Sequence, residues 1–216
     1  MALKTFDTRL LPEVRAQNLT PEAFAPYGGI ISADHQIKNA ESSSANYGTA
    51  TKIHRVAPVE NHFSKCKSGA PATPRWNIFR CSAPKHLINV KSGKTKTYTA
   101  KVLERHPYST QTFIPMGQAR EKDSYVVIVA QTDYSSDQLL PDPTTLKAFI
   151  CKGNQSITYG AGTWHAPMVV VDEQIPHIDF AVFIHENGVA EEDCQECYFE
   201  PGYSVAYEVN ELQPKL

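Results

Sequence analysis

Short runs of β-favouring residues, each ended by a turn signal, dominate this chain from about residue 75 onward. The runs are rich in Val, Ile, Phe, Tyr and Thr, and they are separated by breakers such as Ser92-Gly93 and Gly153-Asn154. Many short strands at close spacing, with few helical stretches, are typical of a barrel or of two packed sheets. Strands are predicted at 76–82, 86–91, 96–106, 111–115, 124–131, 146–152, 155–159, 164–172, 178–185 and 203–208.

Several of these runs, such as YVVIVAQ and FAVFI, are apolar along almost their whole length. A strand with one wet face alternates between apolar and polar residues, so a continuous apolar run predicts a strand that is covered on both faces. Extra strands, a helix or a second subunit would supply the outer cover. We therefore expect a homodimer.

The first third of the chain predicts one short helix and one long loop. In LTPEAFAPYGG, Thr20 fits an N-cap, Pro21 fits the first helical position and Gly28-Gly29 fit the stop. Residues 32–52 are polar and serine-rich, which indicates a long loop or mobile flap. The expectation is one mainly β domain over 1–216, a β-barrel or double sheet with a few short peripheral helices.

Charge and hydropathy exclude two classes of partner. The formal net charge is -2 and 20% of residues are charged, so no basic face suggests nucleic acid. No apolar run approaches the roughly 20 residues that cross a bilayer, so no membrane partner is expected.

Cysteine usage and the chain ends bear on the compartment. Five cysteines, an odd number, without a recognisable signal segment suit a reducing compartment. Cys194 and Cys197 form a lone C-x-x-C, interpreted as two unpaired structural thiols. A cytoplasmic protein is expected. The last three residues, Pro214-Lys215-Leu216, weakly resemble a peroxisomal tripeptide, which makes the peroxisome the minor alternative.

The stretch ERHPYSTQ places ionisable groups at the end of a strand. Side chains alternate between faces, and the mainly apolar phase that begins at Tyr98 ends with Glu104 and His106. Both are expected to point into the interior. Burial of ionisable groups costs free energy, so their presence there indicates a functional site. Arg105 belongs to the other phase and is expected to point away from the interior.

A second polar cluster follows in GNQSITYGAGTWHAPM. Gly160 and Gly162 allow a tight turn, and His165 emerges at the start of the next strand. After the turn at Pro107, Gln111 would return beside Glu104 and His106. Two hairpins are thus predicted to deliver imidazoles into one cavity.

These residues resemble a degenerate cupin. Where cupins have H-x-H followed by Glu, this chain has Glu104-x-His106 followed by Gln111, and where they have P-x-G-x-x-H it has the segment 160–165. The closer resemblance is to the ureidoglycolate lyase family, over about residues 19–180. It is carried by LTPEAFAPYGGII, ERHPYSTQTFIPM, VVIVA, TLKAFICKGNQSITYGAGTWHAPM and the DF at 179–180.

The resemblance implies cleavage of (S)-ureidoglycolate to glyoxylate and urea in allantoin (purine) catabolism. Breaking the C–N bond needs a base for the hydroxyl proton, an acid for the urea nitrogen and a group that binds the carboxylate. The catalytic candidates are His106, His165, Glu104 and Gln111. The candidates for substrate binding are Arg80, Tyr159 and Lys152, with Arg80 as a carboxylate clamp because its planar fork matches two oxygens.

The cupin resemblance also implies a possible metal site formed by Glu104, His106, Gln111 and His165. Divalent Ni, Zn or Mn suits this set, although an amide in place of a carboxylate removes a charge. The lyase reaction itself can also proceed with no cofactor. Two alternatives remain open: a cupin-like small-molecule binding or regulatory module, and a ureidoglycolate hydrolase that releases ammonia.

Overall fold

The structure is a computed structural model that describes residues 2–38, 40–135 and 137–210. These residues form a mainly β protein with a few short helices. The helices are α1 Pro21–Phe24, α2 Ala33–Gln36 and α3 Ala190–Asp193, with 3-10 turns at Ala25–Tyr27, Asn46–Gly48, Phe63–Lys65, Lys85–Leu87 and Pro143–Thr145. The strands are β1 Lys4–Asp7, β2 Val14–Arg15, β3 Gln17–Asn18, β4 Gly28–Ile31, β5 Ser42–Ala45, β6 Ala50–Ile53, β7 Thr73–Cys81, β8 Ile88–Ser92, β9 Thr95–Arg105, β10 Gln111–Met116, β11 Asp123–Ala130, β12 Lys147–Lys152, β13 Ser156–Tyr159, β14 Trp164–His165, β15 Val169–Val170, β16 Ile178–Glu186 and β17 Gln195–Glu208.

Two sheets pack face to face as a sandwich rather than as one closed barrel. The larger has the order β1-β17-β9-β14-β11-β12-β3, with β2, β8 and β15 attached, and the smaller has the order β4-β13-β10-β16-β7. Strands β5 and β6 form a separate hairpin. This arrangement agrees with the double-sheet, cupin-like expectation.

The central strand β11 explains why its sequence is apolar throughout. Tyr125 and Val127 pack in the core between the two sheets, together with residues of the smaller sheet such as Phe180. Val126 and Ile128 pack in a second core on the other face, together with residues of β9 and β17. Both faces of β11 are therefore covered by this chain itself, and its apolar run requires no second subunit.

The strands predicted from residue 75 onward are present, with two differences in extent. The run 164–172 is divided into β14 and β15, and the run 203–208 is the end of the much longer β17. The short helix α1 begins where the sequence predicts it, and Oγ1 of Thr20 caps it by accepting a hydrogen bond from N of Ala23 at 3.2 Å.

The interpretation of 32–52 as one long loop is wrong. This stretch contains α2 and the hairpin β5–β6, whose turn at Asn46–Gly48 has positive φ angles. The strands are only four residues long and mostly serine, alanine and threonine, so they carry no apolar alternation for a sequence reading to detect.

The expectation for Arg105 is also wrong in one respect. Its side chain does lie on the face of β9 opposite to Glu104, but that face is buried as well, and Arg105 is only 5% exposed. The Trp164 ring of the second core lies against its guanidinium, and the side chains of Gln195 and Thr132 hydrogen-bond to it.

None of the helices in the described ranges has the length and apolar character that a membrane crossing requires. The C-terminal tripeptide Pro214-Lys215-Leu216 lies outside the described residues.

Candidate active site

Three strands deliver polar side chains to one end of the space between the sheets. Glu104 on β9 lies directly opposite His165 on β14. Gln111 begins β10 in the smaller sheet and lies opposite Tyr159 on β13. His106 follows the last residue of β9. The two distant hairpins therefore meet, as the sequence predicts.

The four side chains are in close contact. Nε2 of His165 lies 3.4 Å from Oε1 of Glu104 and 3.1 Å from Oε1 of Gln111. The ring centroids of His106 and His165 are 5.4 Å apart. One nitrogen from each histidine and a carboxylate oxygen of Glu104 all lie within 4.8 Å of one another. We call Glu104, His106, Gln111 and His165 the polar cluster.

Backbone carbonyls fix the tautomer of both imidazoles. Nδ1 of His106 lies 2.6 Å from O of Asp193, and Nδ1 of His165 lies 2.9 Å from O of Thr163. A carbonyl oxygen only accepts, so Nδ1 carries a proton in each ring. In the neutral rings Nε2 then keeps its lone pair. Nε2 of His106 is buried and has no hydrogen-bond partner within the described part of the chain.

Burial and mutual charge set the ionisation of the polar cluster. Burial, and then the charge of His165, lower the pKa of His106 from 6.5 to about 4, so its ring is neutral at pH 7. Burial alone would raise the pKa of Glu104. The hydrogen bond with His165 and the charge of that imidazole outweigh this effect and hold the pKa of Glu104 below its ordinary value, so Glu104 is a carboxylate.

The aromatic ring of Tyr159 stacks on the ring of His165, with centroids 3.8 Å apart and an interplanar angle of 13°. Its hydroxyl is buried without a partner among the described residues. Burial raises the pKa of Tyr159 well above its usual range, so the hydroxyl keeps its proton. The predicted binding residue Tyr159 thus lies beside the polar cluster with one donor unused.

A cavity of about 430 Å³ opens beside the polar cluster, and Glu104 is part of its wall. The remaining lining is mainly apolar and comes from β7, β9, β10 and the segment after His165. It includes Phe79, Tyr98, Val102, Phe113 and Met168. Its volume lies within the range of small-molecule sites.

The structure places the other two predicted binding residues elsewhere. Phe79 and Cys81 line the cavity, whereas Arg80 between them lies on the opposite face of β7 and forms an exposed bidentate pair with Asp179 at 2.8 and 2.9 Å. Lys152 pairs with Glu121 at 2.8 Å on the surface. Neither side chain contacts the polar cluster in this arrangement.

Sequence reasoning missed the segment Asp193–Gln195, which contacts three successive residues of the ERH motif. The carbonyl of Asp193 accepts from His106, and Sγ of Cys194 lies 3.9 Å from Oε2 of Glu104. Burial, and then the charge of Glu104, raise the pKa of the Cys194 thiol to about 12, so it is not a thiolate. A carbonyl contact leaves no trace in a sequence, and the acidic stretch here resembles a solvated surface.

The polar cluster fits a divalent metal ion by the chemistry of its donors. Lone pairs of two imidazole nitrogens, a carboxylate oxygen and an amide oxygen point toward one another. As long as His165 is neutral, none of these four atoms carries a proton to donate to another. Rotation of the Gln111 amide would supply one N–H to His165 but would leave Glu104 and His106 with lone pairs facing inward. Either a proton on His165 or a bound cation would give these lone pairs a partner. The set of two nitrogens and two oxygens suits Ni, Zn or Mn.

Comparison with known proteins places the chain in a family. The family model described as ureidoglycolate lyase matches residues 11–206. The chain is 42% identical over 197 residues to a ureidoglycolate lyase of Saccharomyces cerevisiae, covering 88% of this chain and 95% of that protein. It is 38% identical to one of Schizosaccharomyces pombe, covering 85% and 90%, and 26% identical to one of Burkholderia cepacia, covering 91% and 92%. The chain therefore belongs to the ureidoglycolate lyase family.

Proposed function

We propose that this protein is a carbon–nitrogen lyase that cleaves (S)-ureidoglycolate into glyoxylate and urea in allantoin degradation. The observation that carries the proposal is the meeting of a neutral imidazole with a free lone pair, His106, and a carboxylate–imidazole pair, Glu104 and His165, in one buried site. The names of the relatives in yeasts and bacteria support the choice of substrate.

The first half of the reaction removes the hydroxyl proton of ureidoglycolate. Nε2 of His106 is the acceptor in this scheme, because Nδ1 holds the proton of the ring and a pKa of about 4 leaves the Nε2 lone pair unprotonated at neutral pH. As the O–H bond breaks, its electron pair forms the carbonyl of glyoxylate and the electrons of the C–N bond leave with the nitrogen.

The second half protonates the departing urea nitrogen. A proton held between Nε2 of His165 and Oε1 of Glu104 is the donor in this scheme, and the Glu104 carboxylate stabilises the protonated ring before transfer. His106 then carries one extra proton and the Glu104–His165 pair lacks one. A proton therefore moves from His106 back to this pair between turnovers. Atoms balance as one ureidoglycolate in and one glyoxylate plus one urea out.

The substrate carboxylate needs a positive partner, and Arg80 and Lys152 are engaged in surface ion pairs away from the polar cluster. A protonated His165 is one such partner. A divalent metal held by Glu104, His106, Gln111 and His165 is the other, and when bound it would polarise the hydroxyl and carboxylate as a Lewis acid. The hydroxyl of Tyr159 is free to donate to the carboxylate or to the urea carbonyl.

The test is product analysis with purified protein and racemic ureidoglycolate. We expect urea and glyoxylate in equal amounts from the (S) enantiomer, with no ammonia. Ammonia without urea would show a hydrolase instead. Ligand binding without any turnover would show a binding module and overturn the lyase assignment.

The role of metal is tested on the same protein. Metal analysis of the untagged protein is followed by chelation and by addition of Ni, Zn or Mn separately. Loss of turnover on chelation, restored by one ion, assigns the polar cluster as a metal site. Full activity of metal-free protein assigns it as a proton relay.

A homodimer and a cytosolic location complete the proposal. Strand β7 is an edge of the smaller sheet and exposes Trp76 and Ile78, which are 62% and 71% exposed. A long edge strand with apolar side chains favours pairing with another copy of the chain. Sedimentation analysis should give a dimer that Trp76→Glu dissociates and Val90→Glu, on the exposed strand β8, does not.

A further inference from the structure

Arg105 is a buried cation without a buried anion. It sits between Glu104 and His106 in the sequence, but its side chain is on the reverse face of β9 and is only 5% exposed. Its Nε and Nη2 donate to Oε1 of Gln195 at 2.9 and 2.7 Å, and its Nη1 donates to Oγ1 of Thr132 at 3.3 Å. Throughout the described ranges, no carboxylate forms an ion pair with it.

This arrangement carries a cost that a neutral side chain would avoid. Burial lowers the pKa of Arg105, which reflects the loss of water around the guanidinium. A buried charge whose partners are all neutral opposes folding, and an apolar side chain of similar volume would remove that penalty. What the guanidinium offers instead is a rigid plane with several donors in fixed directions.

The strand register places that plane directly behind the polar cluster. Arg105 is opposite Gln195 on β17. Glu104 is opposite His165 on β14. One step along this antiparallel register, Arg105 is opposite Trp164. Its Cζ lies 5.0 Å from the centroid of the Trp164 ring, within cation–π range. Arg105 and Trp164 therefore back the pair formed by Glu104 and His165, on the other side of the same two strands.

A second set of contacts joins Arg105 to the turn that precedes His165. Oγ1 of Thr132 accepts from Arg105 and donates to O of Gly162 at 2.6 Å. N of Gly162 in turn donates to O of His106 at 2.8 Å. Gly162 has a φ of +80°, a conformation that favours glycine, and these two hydrogen bonds hold this permissive residue in place.

We propose that Arg105 is a positioning residue. By bridging Gln195, Thr132 and Trp164, its guanidinium sets the spacing between the strand end that carries Glu104 and His106 and the turn that carries His165. A lysine would keep the charge but lose the plane and the two-point contact with Gln195. The kinetic consequence rests on the lyase function proposed above, whereas the structural consequence does not.

The kinetic test compares Arg105→Lys with a matched control, Arg120→Lys, because Arg120 is an exposed arginine that pairs with Asp34. We expect Arg105→Lys to lower kcat by roughly 10- to 100-fold, since a misplacement of about 1 Å costs up to 10²-fold. KM should stay within about threefold, because Arg105 lies on the face of β9 opposite to the polar cluster, and Arg120→Lys should match the unmodified protein. Unchanged kcat in a folded Arg105→Lys protein would overturn the inference.

A nuclear magnetic resonance measurement keeps the test independent of turnover. The side-chain ¹⁵N signals of His106 and His165 should show one fixed protonation pattern each, with a proton on Nδ1 of both rings, in the unmodified protein and in Arg120→Lys. In Arg105→Lys, or in Gln195→Ala if the lysine variant does not fold, at least one histidine should show averaged signals. Fixed tautomers in the folded variants would refute the positioning role. Absence of turnover in the unmodified protein would instead refute the lyase function and leave this comparison valid.

Discussion

Nε2 of His165 lies 3.4 Å from Oε1 of Glu104, and these two residues face each other directly on β14 and β9. His165 is 1% exposed, so a proton or cation placed between them is shielded from bulk water. Electrostatic interactions are stronger in such surroundings than in water. This pair is the part of the site on which the proposed protonation of the urea nitrogen depends.

Replacement of His106 by alanine should lower kcat by at least about a hundredfold, the usual scale for a general acid or base. The reason is that Nε2 of His106 is buried in the polar cluster and keeps an unprotonated lone pair at neutral pH. Release of urea and glyoxylate measures the effect. His62→Ala is the matched control, because the His62 side chain is 42% exposed and pairs with Glu60. A loss of only a few fold would remove His106 from the mechanism.

Replacement of Tyr159 by phenylalanine isolates a single hydroxyl. The ring stack on His165 should persist, and the hydroxyl has no described partner to lose, so the melting temperature should not fall. If that hydroxyl donates to the substrate, kcat/KM should drop by about tenfold or more, because tenfold is the upper end for a hydrogen bond to a neutral group and bonds to charged groups are stronger. An unchanged kcat/KM would show that Tyr159 only supports the ring of His165.

Replacement of Arg80 or Lys152 by alanine should leave KM within about twofold, because neither side chain contacts the polar cluster. The fold should persist, since exposed ion pairs contribute only about 0–1 kcal/mol to the free energy of unfolding. Steady-state kinetics with ureidoglycolate provide the measurement. A tenfold rise in KM with unchanged kcat in Arg80→Ala would reinstate the carboxylate clamp that the sequence suggests.

The positions of Glu104 and Arg80 show which features of the site can be predicted from the sequence and which cannot. Alternation along a strand and a glycine turn are local features, so the meeting of Glu104 with His165 can be predicted from them. Whether the reverse face of a strand is covered depends on distant segments, so alternation alone does not predict that Trp164, Thr132 and Gln195 contact Arg105 and bury it. The face on which Arg80 lies is set by the sheet partner, since its opposite residue is Asp179. The carbonyl of Asp193 is invisible to any pattern because every residue has one.

Replacement of Gln111 by glutamate tests whether the polar cluster binds a metal ion, by adding a charge to the ligand set. A second carboxylate adds a negative charge to the donor set, so affinity for Ni, Zn or Mn should rise by roughly tenfold or more, the scale of changes around metal ligands. Calorimetric titration of metal-free protein gives the affinity. Gln118→Glu adds the same charge at a half-buried position outside the polar cluster and should leave affinity unchanged. Equal affinities for both variants would argue that Gln111 does not face a cation.

Glu192 provides a prediction about stability and pH. It is 8% exposed, and its carboxylate accepts from Oγ and N of Ser68 and from Nδ2 of Asn187 at 2.6–2.7 Å. The bond from the Ser68 side chain, and then that from Asn187, lower its pKa from 4.5 to about 2. A carboxyl whose pKa is lower in the folded state stabilises the fold above pH 4.5, and this stabilisation is lost as pH falls from 4.5 toward 2.

Glu192→Gln should therefore melt at a lower temperature than the unmodified protein at pH 7, and the difference should narrow as the pH falls below 4.5. Thermal denaturation followed by circular dichroism at pH 7, 5 and 4 provides the comparison. Glu191→Gln, at an exposed neighbouring position, should show no such trend. A difference that stays constant from pH 7 to pH 4 would mean that the shape of the Glu192 side chain, rather than its charge, joins Ser68 to Asn187.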